Sequence, residues 1–163
     1  MAQFNVIEAI NMAMEAESKA REFYAHSAEK VSSERGKNLL KQLAEFEDNH
    51  YNRLNELKAS LEEDKGYIDY SGTEFKPYSP SSTSEVSGRL DAEKSDVLDI
   101  LNLAIEAESK AYEHYSDMAN NIDDEQGRAM FLRFAEEEKA HRRILSDEFY
   151  YMNNKNMNWF WGD

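Results

Sequence analysis

Apolar side chains recur at three- and four-residue intervals along two separated stretches of the chain, with charged residues filling the positions between them. In the first stretch Ile7, Ile10, Met14, Tyr24 and Val31 trace one helical face, and Leu39, Leu43, Phe46, Leu54, Leu57 and Leu61 trace another. In the second, Val97, Leu101, Ile105, Tyr115 and Ile122 form a third face, and Phe131, Phe134, Leu145 and Phe149 a fourth. Four amphipathic helices are predicted. Ser32-Ser33 and Asp123-Asp124 stand where the periodicity restarts, and both pairs are natural N-caps, so each stretch reads as an antiparallel helical hairpin with a short loop.

The hairpins are expected over residues about 4–62 and about 96–151, within one domain spanning 1–163. Between them the pattern breaks at Gly66, Gly72, Pro77, Pro80 and the run Ser79-Pro-Ser-Ser-Thr-Ser84, which reads as a crossover over about 63–95. At roughly 3.3 Å per extended residue this length is ample to cross a bundle about 40 Å long. The same slack lets the second hairpin pair with another subunit, so a homodimer is expected and a domain-swapped one is compatible with the chain. The tail, 152–163, ends in Trp159-Phe160-Trp161, a cluster that either docks on the bundle or on a dimer partner, or offers a binding peptide to another protein.

The two hairpins are copies of each other. Residues 10–50 and 101–141 align without a gap and share 17 identities over 41 positions, the densest being Glu15-Ala-Glu-Ser-Lys-Ala20 against Glu106-Ala-Glu-Ser-Lys-Ala111. Glu17, Glu47 and His50 recur as Glu108, Glu138 and His141. Helical phase selects these from the many acidic residues: Glu17 continues the stripe of Ile10, Met14 and Tyr24, and Glu108 that of Leu101, Ile105 and Tyr115, whereas Glu15, Glu22, Glu106 and Glu113 are rotated away. Each Glu-x-x-His lies on the face of Leu43 and Leu54 or of Phe134 and Leu145. An unpaired carboxylate in an apolar core costs several kcal/mol or takes up a proton, so four at one level call for a shared cation. Two divalent ions balance four carboxylates, and one imidazole per ion suits iron or manganese better than calcium. Tyr24 and Tyr115, two turns beyond the lone glutamates, could hydrogen-bond a ligand carboxylate or simply pack. His26 and His114 have no counterparts in the repeat and read as surface or packing residues; Met12, Met14, Met118 and Met130 read as core filler.

Composition narrows the partners. Nineteen Lys and Arg against 33 Asp and Glu leave a formal charge of −14, which repels nucleic acid and anionic lipid and attracts cations. Nothing resembles a membrane span or an export signal, and the cytoplasm is the expected compartment. The absence of cysteine removes disulfides, thiolate catalysis and iron–sulfur centres.

On these motifs the chain resembles the rubrerythrin and ferritin-like di-iron superfamily across residues 5–62 and 95–150. Glu17-Ser-Lys-Ala-Arg21 with Tyr24 is similar to the first-helix signature, and Glu47-x-x-His50 and Glu138-x-x-His141 to the paired ligand motifs. The resemblance implies an all-α, ferritin-like four-helix bundle made of two duplicated hairpins joined by one long crossover. It implies six iron ligands, with Glu47 and Glu138 bridging and Glu17 and Glu108 terminal; manganese and zinc are the alternatives to iron. Two departures stand out: Ala111 occupies the place of an additional rubrerythrin glutamate, and no cysteine-bound rubredoxin module is present. The remaining set is nearer that of bacterioferritin or manganese catalase. The expected activity is that of an oxidoreductase reducing hydrogen peroxide or dioxygen with electrons from a separate protein; the alternatives are a ferroxidase of iron storage and a non-catalytic metal-binding helical module.

Overall fold

The computed structural model describes residues 4–31, 34–73 and 90–153. They form four helices: α1 (Val6–Lys30), α2 (Glu34–Glu62), α3 (Leu90–Asn121) and α4 (Glu125–Asn153). No strand occurs among the described residues. Helix starts follow capping chemistry. Asn5 accepts the Glu8 amide at 3.1 Å ahead of α1, and Asp124 accepts the Gly127 amide at 2.8 Å ahead of α4. The caps expected at Ser32-Ser33 lie outside the described residues, as do Pro77, Pro80, the Ser79–Ser84 run and the Trp159-Phe160-Trp161 tail.

Helix α1 packs mainly on α2 and α3 mainly on α4, as duplicated hairpins require, while α1 and α3 touch only sparsely. This is a ferritin-like four-helix bundle. Its interior is two apolar clusters, one around Ile10, Leu57, Met118 and Phe131, the other around Leu40, Leu43, Leu101 and Leu145, with the buried polar side chains between them. Among the methionines, Met14, Met118 and Met130 fill the core as expected, but Met12 is 59% exposed and does not. It sits on the other side of α1, one position short of the buried stripe that Ala9, Ala13 and Met14 supply.

Two boundaries differ from the sequence reading. Helix α3 begins at Leu90, about six residues before the expected start, because nothing from Leu90 to Ser95 breaks a helix even though the stretch lacks an apolar stripe. The early crossover also does not run free. Helix α2 ends in a Schellman arrangement, with Asp64 in the left-handed region (φ 57°), the Lys65 amide on Ser60 O at 2.8 Å and the Asp64 amide on Leu61 O at 3.2 Å. The chain then doubles back, and residues 65–73 form a strap against α4. Tyr67, Ile68 and Tyr70 pack on the core, Gln126 donates to Asp69 at 2.7 Å, and Arg53 of α2 donates to the Asp69 carbonyl at 2.8 Å. Gly127 lets the Tyr67 ring lie on the helix, where a Cβ would collide with it. Gly72 combines φ +91° with a side occupied by the Arg133 guanidinium.

Candidate metal centre

All six repeated side chains turn inward: Glu17, Glu47, His50, Glu108, Glu138 and His141 are each at most 2% exposed. Glu15, Glu22, Glu106 and Glu113 point to solvent, as helical phase requires. The six divide into two overlapping sets of four, in each of which one donor atom per residue lies within 4.8 Å of the others. One set is Glu17, Glu47, His50 and Glu138; the other is Glu47, Glu108, Glu138 and His141. Glu47 and Glu138 belong to both, so they occupy the shared middle, and Glu17 and Glu108 mark the two ends.

The tyrosines tie the ends across the repeat. Tyr24 of the first hairpin donates to Glu108 Oε1 of the second at 2.6 Å, and Tyr115 donates to Glu17 Oε1. Each ring packs in one apolar cluster while its hydroxyl reaches the polar layer, so both roles open to these residues are filled. Burial, reinforced by the neighbouring carboxylates, pushes both phenols well above their ordinary pKa, and they stay protonated donors.

Without a cation the cluster is poorly compensated. Both oxygens of Glu138, Glu17 Oε2, Glu47 Oε1, Glu108 Oε2 and His50 Nε2 are buried with no hydrogen-bond partner among the described residues. His50 Nδ1 approaches Glu17 Oε1 at 3.2 Å and Glu138 Oε1 at 2.8 Å, the second a charge contact lacking hydrogen-bond direction. Burial and mutual repulsion push Glu47 and Glu138 well above the ordinary carboxyl range. Burial pushes Glu17 and Glu108 the same way, but for them it is outweighed. At Glu17 the neighbouring His50 and Glu47 and the Tyr115 hydroxyl hold the carboxyl low; at Glu108 the neighbouring Glu138 and His141 and the Tyr24 hydroxyl do the same. Orphaned acceptors and an oxygen-rich donor set with two imidazoles fit a pair of divalent transition-metal ions.

Sequence reasoning missed one buried carboxylate. Glu137, 6% exposed, sits 3.5 Å from His50 Nε2, accepts the Thr73 amide at 3.1 Å and accepts the Tyr70 hydroxyl. Burial pushes it up, but His50, Tyr70 and Thr73 hold it below its usual value, and it stays ionised. It lies one residue off the predicted stripe, and the repeat gives no hint of it, since its counterpart is Phe46, whose ring meets His141 edge-on at 4.6 Å. The one sequence signal is the apolar group Tyr67, Ile68 and Tyr70 at the start of the linker. His26, on the surface beside Glu29, and His114, which reaches Ala9 O at 3.1 Å, take no part in either set of four, as expected.

The cluster has one open side. A cavity between α1 and α3 is lined at its inner end by Glu17, Glu47, Glu108 and Glu138 and by neither candidate histidine. His50 lies beside the strap, its ring 6.2 Å from that of Tyr70, and His141 meets Phe46 of α2. No helix among the described residues is long and apolar enough to cross a membrane.

The rubrerythrin family model matches residues 2–80 and 99–158 of the chain. A solved structure of a hypothetical protein from Pyrococcus furiosus is similar, with 28% identity and a TM-score of 0.71 over 93% of this chain and 92% of that one. No curated protein matches.

Proposed function

The chain belongs to the rubrerythrin family, and from that premise we propose that its buried cluster holds two iron ions at which hydrogen peroxide or dioxygen is reduced. The observation that carries this reading is the sharing of Glu47 and Glu138 between two overlapping donor sets, in which every glutamate keeps at least one buried oxygen without a hydrogen bond. Iron, when bound, supplies the electrons and Lewis acidity for the reduction. The protein's part is arrangement. Glu47 and Glu138 hold the middle, Glu17 and Glu108 close the ends, and His50 and His141 hold from the α2–α4 side. Tyr24 and Tyr115 aim the terminal carboxylates and, as protonated phenols, keep a donor at each end. The α1–α3 cavity leaves the carboxylate side open to a small oxidant, and the strap of residues 65–73 covers His50 on the opposite side. Reducing one peroxide takes two electrons, and we propose that a separate electron-donor protein supplies them.

Anaerobic loading with Fe(II), metal analysis and stopped-flow mixing with each oxidant test the proposal. Two irons per chain and a rapid ferrous-to-ferric absorbance change with peroxide or dioxygen are expected; no reaction with either removes it. A redox-inert metal retained after iron-replete growth points instead to a metal-stabilised module, and a very large particle on sizing points to iron storage.

A further inference from the structure

The cavity between α1 and α3 is far larger than a diatomic or peroxide oxidant requires. It encloses about 530 Å³, whereas a water-sized molecule takes about 30 Å³ in the liquid and organic ligands occupy pockets of roughly 300–1,000 Å³. Its walls are duplicated with the hairpins: Met12, Ala16 and Ala20 of α1 face Leu103, Ala107 and Ala111 of α3, one helical turn between successive members. Alanine at four of these six positions keeps the gap open. Met12 and Leu103, 59% and 55% exposed, form an apolar lip.

Apart from His114, whose Nε2 is taken up by Ala9 O, the polar side chains of the lining fall into two groups. Inside lie the cluster carboxylates, including Glu138, fully buried and with neither oxygen hydrogen-bonded. At the solvent end lie Lys19 and Lys110, repeat counterparts each paired with a glutamate one turn back on its own helix, Glu15 at 3.1 Å and Glu106 at 3.3 Å. Such exposed pairs are weak and exchange readily. In a chain of net charge −14, two cations at one mouth are a local exception. A sugar or nucleotide would find no partners along the alanine walls, and an anionic group would be repelled from the inner carboxylates.

We infer that this cavity binds a linear amphiphile with a carboxylate head, its apolar chain between the alanine rows and its head at Lys19 and Lys110. The bound chain would lie on the open side of the metal cluster and so control what reaches it. The inference rests on the preceding reading only in taking the cluster as its inner wall, and its test reads binding rather than turnover.

Dodecanoate is titrated calorimetrically into the metal-loaded full-length chain, with dodecyltrimethylammonium as a probe of the same length and opposite charge. One saturable dodecanoate per chain is expected. Filling the gap with Ala16→Leu and Ala107→Leu, both exposed positions in helices, should weaken it about tenfold while helix content and metal stoichiometry stay unchanged. Lys19→Gln with Lys110→Gln should weaken it about threefold. Should the leucine variant fold poorly, Met12→Glu with Leu103→Glu at the lip must weaken dodecanoate instead. Absence of saturable binding, equal affinity in the filled variant, or equally tight binding of the ammonium probe overturns the proposal. So does a wild-type dimer that the leucine variant dissociates while dodecanoate affects neither, since a second copy then covers this face. Dodecanoate binding to a chain that takes up no metal would sink the di-iron reading and leave this one standing.

Discussion

At the scale of single residues, the shared position of Glu47 and Glu138 makes a sharp prediction. Glu138→Ala or Glu47→Ala removes a donor from both sets of four and should lose one or both ions, whereas Glu15→Ala and Glu106→Ala, on the solvent faces, should leave metal content unchanged. Equal loss in both groups, measured by elemental analysis, would contradict the helical phase. Glu137 acts one step further out. Its carboxylate beside His50 Nε2 favours the tautomer that carries a proton there and leaves Nδ1 facing Glu17 and Glu138. Disrupting such an outer partner typically costs about 10–100-fold in metal affinity. Glu137→Gln should therefore weaken Co(II) binding within that range and shift the visible spectrum of the bound ion. Tyr70→Phe, which keeps the ring stacked on Phe134 but removes the hydroxyl on Glu137, should do less of the same. Unaltered affinity and spectrum in both variants would reduce Glu137 to a packing role.

Among the elements, the helix termini are where local chemistry can be tuned without touching the cluster. Removing the Asp124 cap by Asp124→Ala should cost about 1 kcal/mol, because the Gly127 amide loses its acceptor. The Schellman turn after α2 offers the opposite change. Asp64 sits at φ 57°, where an L-residue with a side chain is penalised by roughly 1–2 kcal/mol, so Asp64→Gly should raise stability, less the added entropy of the unfolded chain. Both effects are read from thermal or urea unfolding. Gly72→Ala, in contrast, sets a Cβ against Arg133 at a left-handed backbone position. It should loosen the strap and resemble Glu137→Gln in its effect on the metal.

For the whole molecule, the cluster couples folding, protons and metal. Glu47 and Glu138 have folded pKa values raised well above 4.5 by burial and by neighbouring carboxylates. Their neutral forms favour the fold fully below 4.5, and that contribution is lost as pH rises through the raised values. Burial lowers His50, but Glu17, Glu137 and Glu47 outweigh it and raise it, with the same sign of pH dependence. Glu17 and Glu108, held low, act oppositely and lose their contribution as pH falls below 4.5. Metal-free protein should therefore be most stable in mild acid and weaken as pH rises through the raised values of these groups. Metal replaces those protons, so Zn(II) or Fe(II) uptake should release protons into weak buffer. At about one hundred times its dissociation constant, metal should stabilise the fold by about 2.7 kcal/mol, a rise of roughly 5–10 °C in Tm for a chain of this size. Metal that releases no protons and leaves Tm unmoved would show that the cluster is not its site.

What the sequence by itself determined were properties that a helix carries locally. The 3.6-residue period placed Glu17, Glu47, His50, Glu108, Glu138 and His141 on apolar stripes, and the duplication paired them, so the four helices and the six converging side chains could be read from spacing. Tertiary structure decided what depends on a neighbour brought from elsewhere in the chain. Tyr24 crosses to Glu108 and Tyr115 to Glu17 because the hairpins pack against each other. Glu137 is buried because residues 65–73 fold back to cover it, and Met12 lines a cavity because alanines leave the space between α1 and α3 unfilled. Periodicity specifies which face of a helix is turned inward; which segment covers a residue one step off that face is settled only when the elements pack.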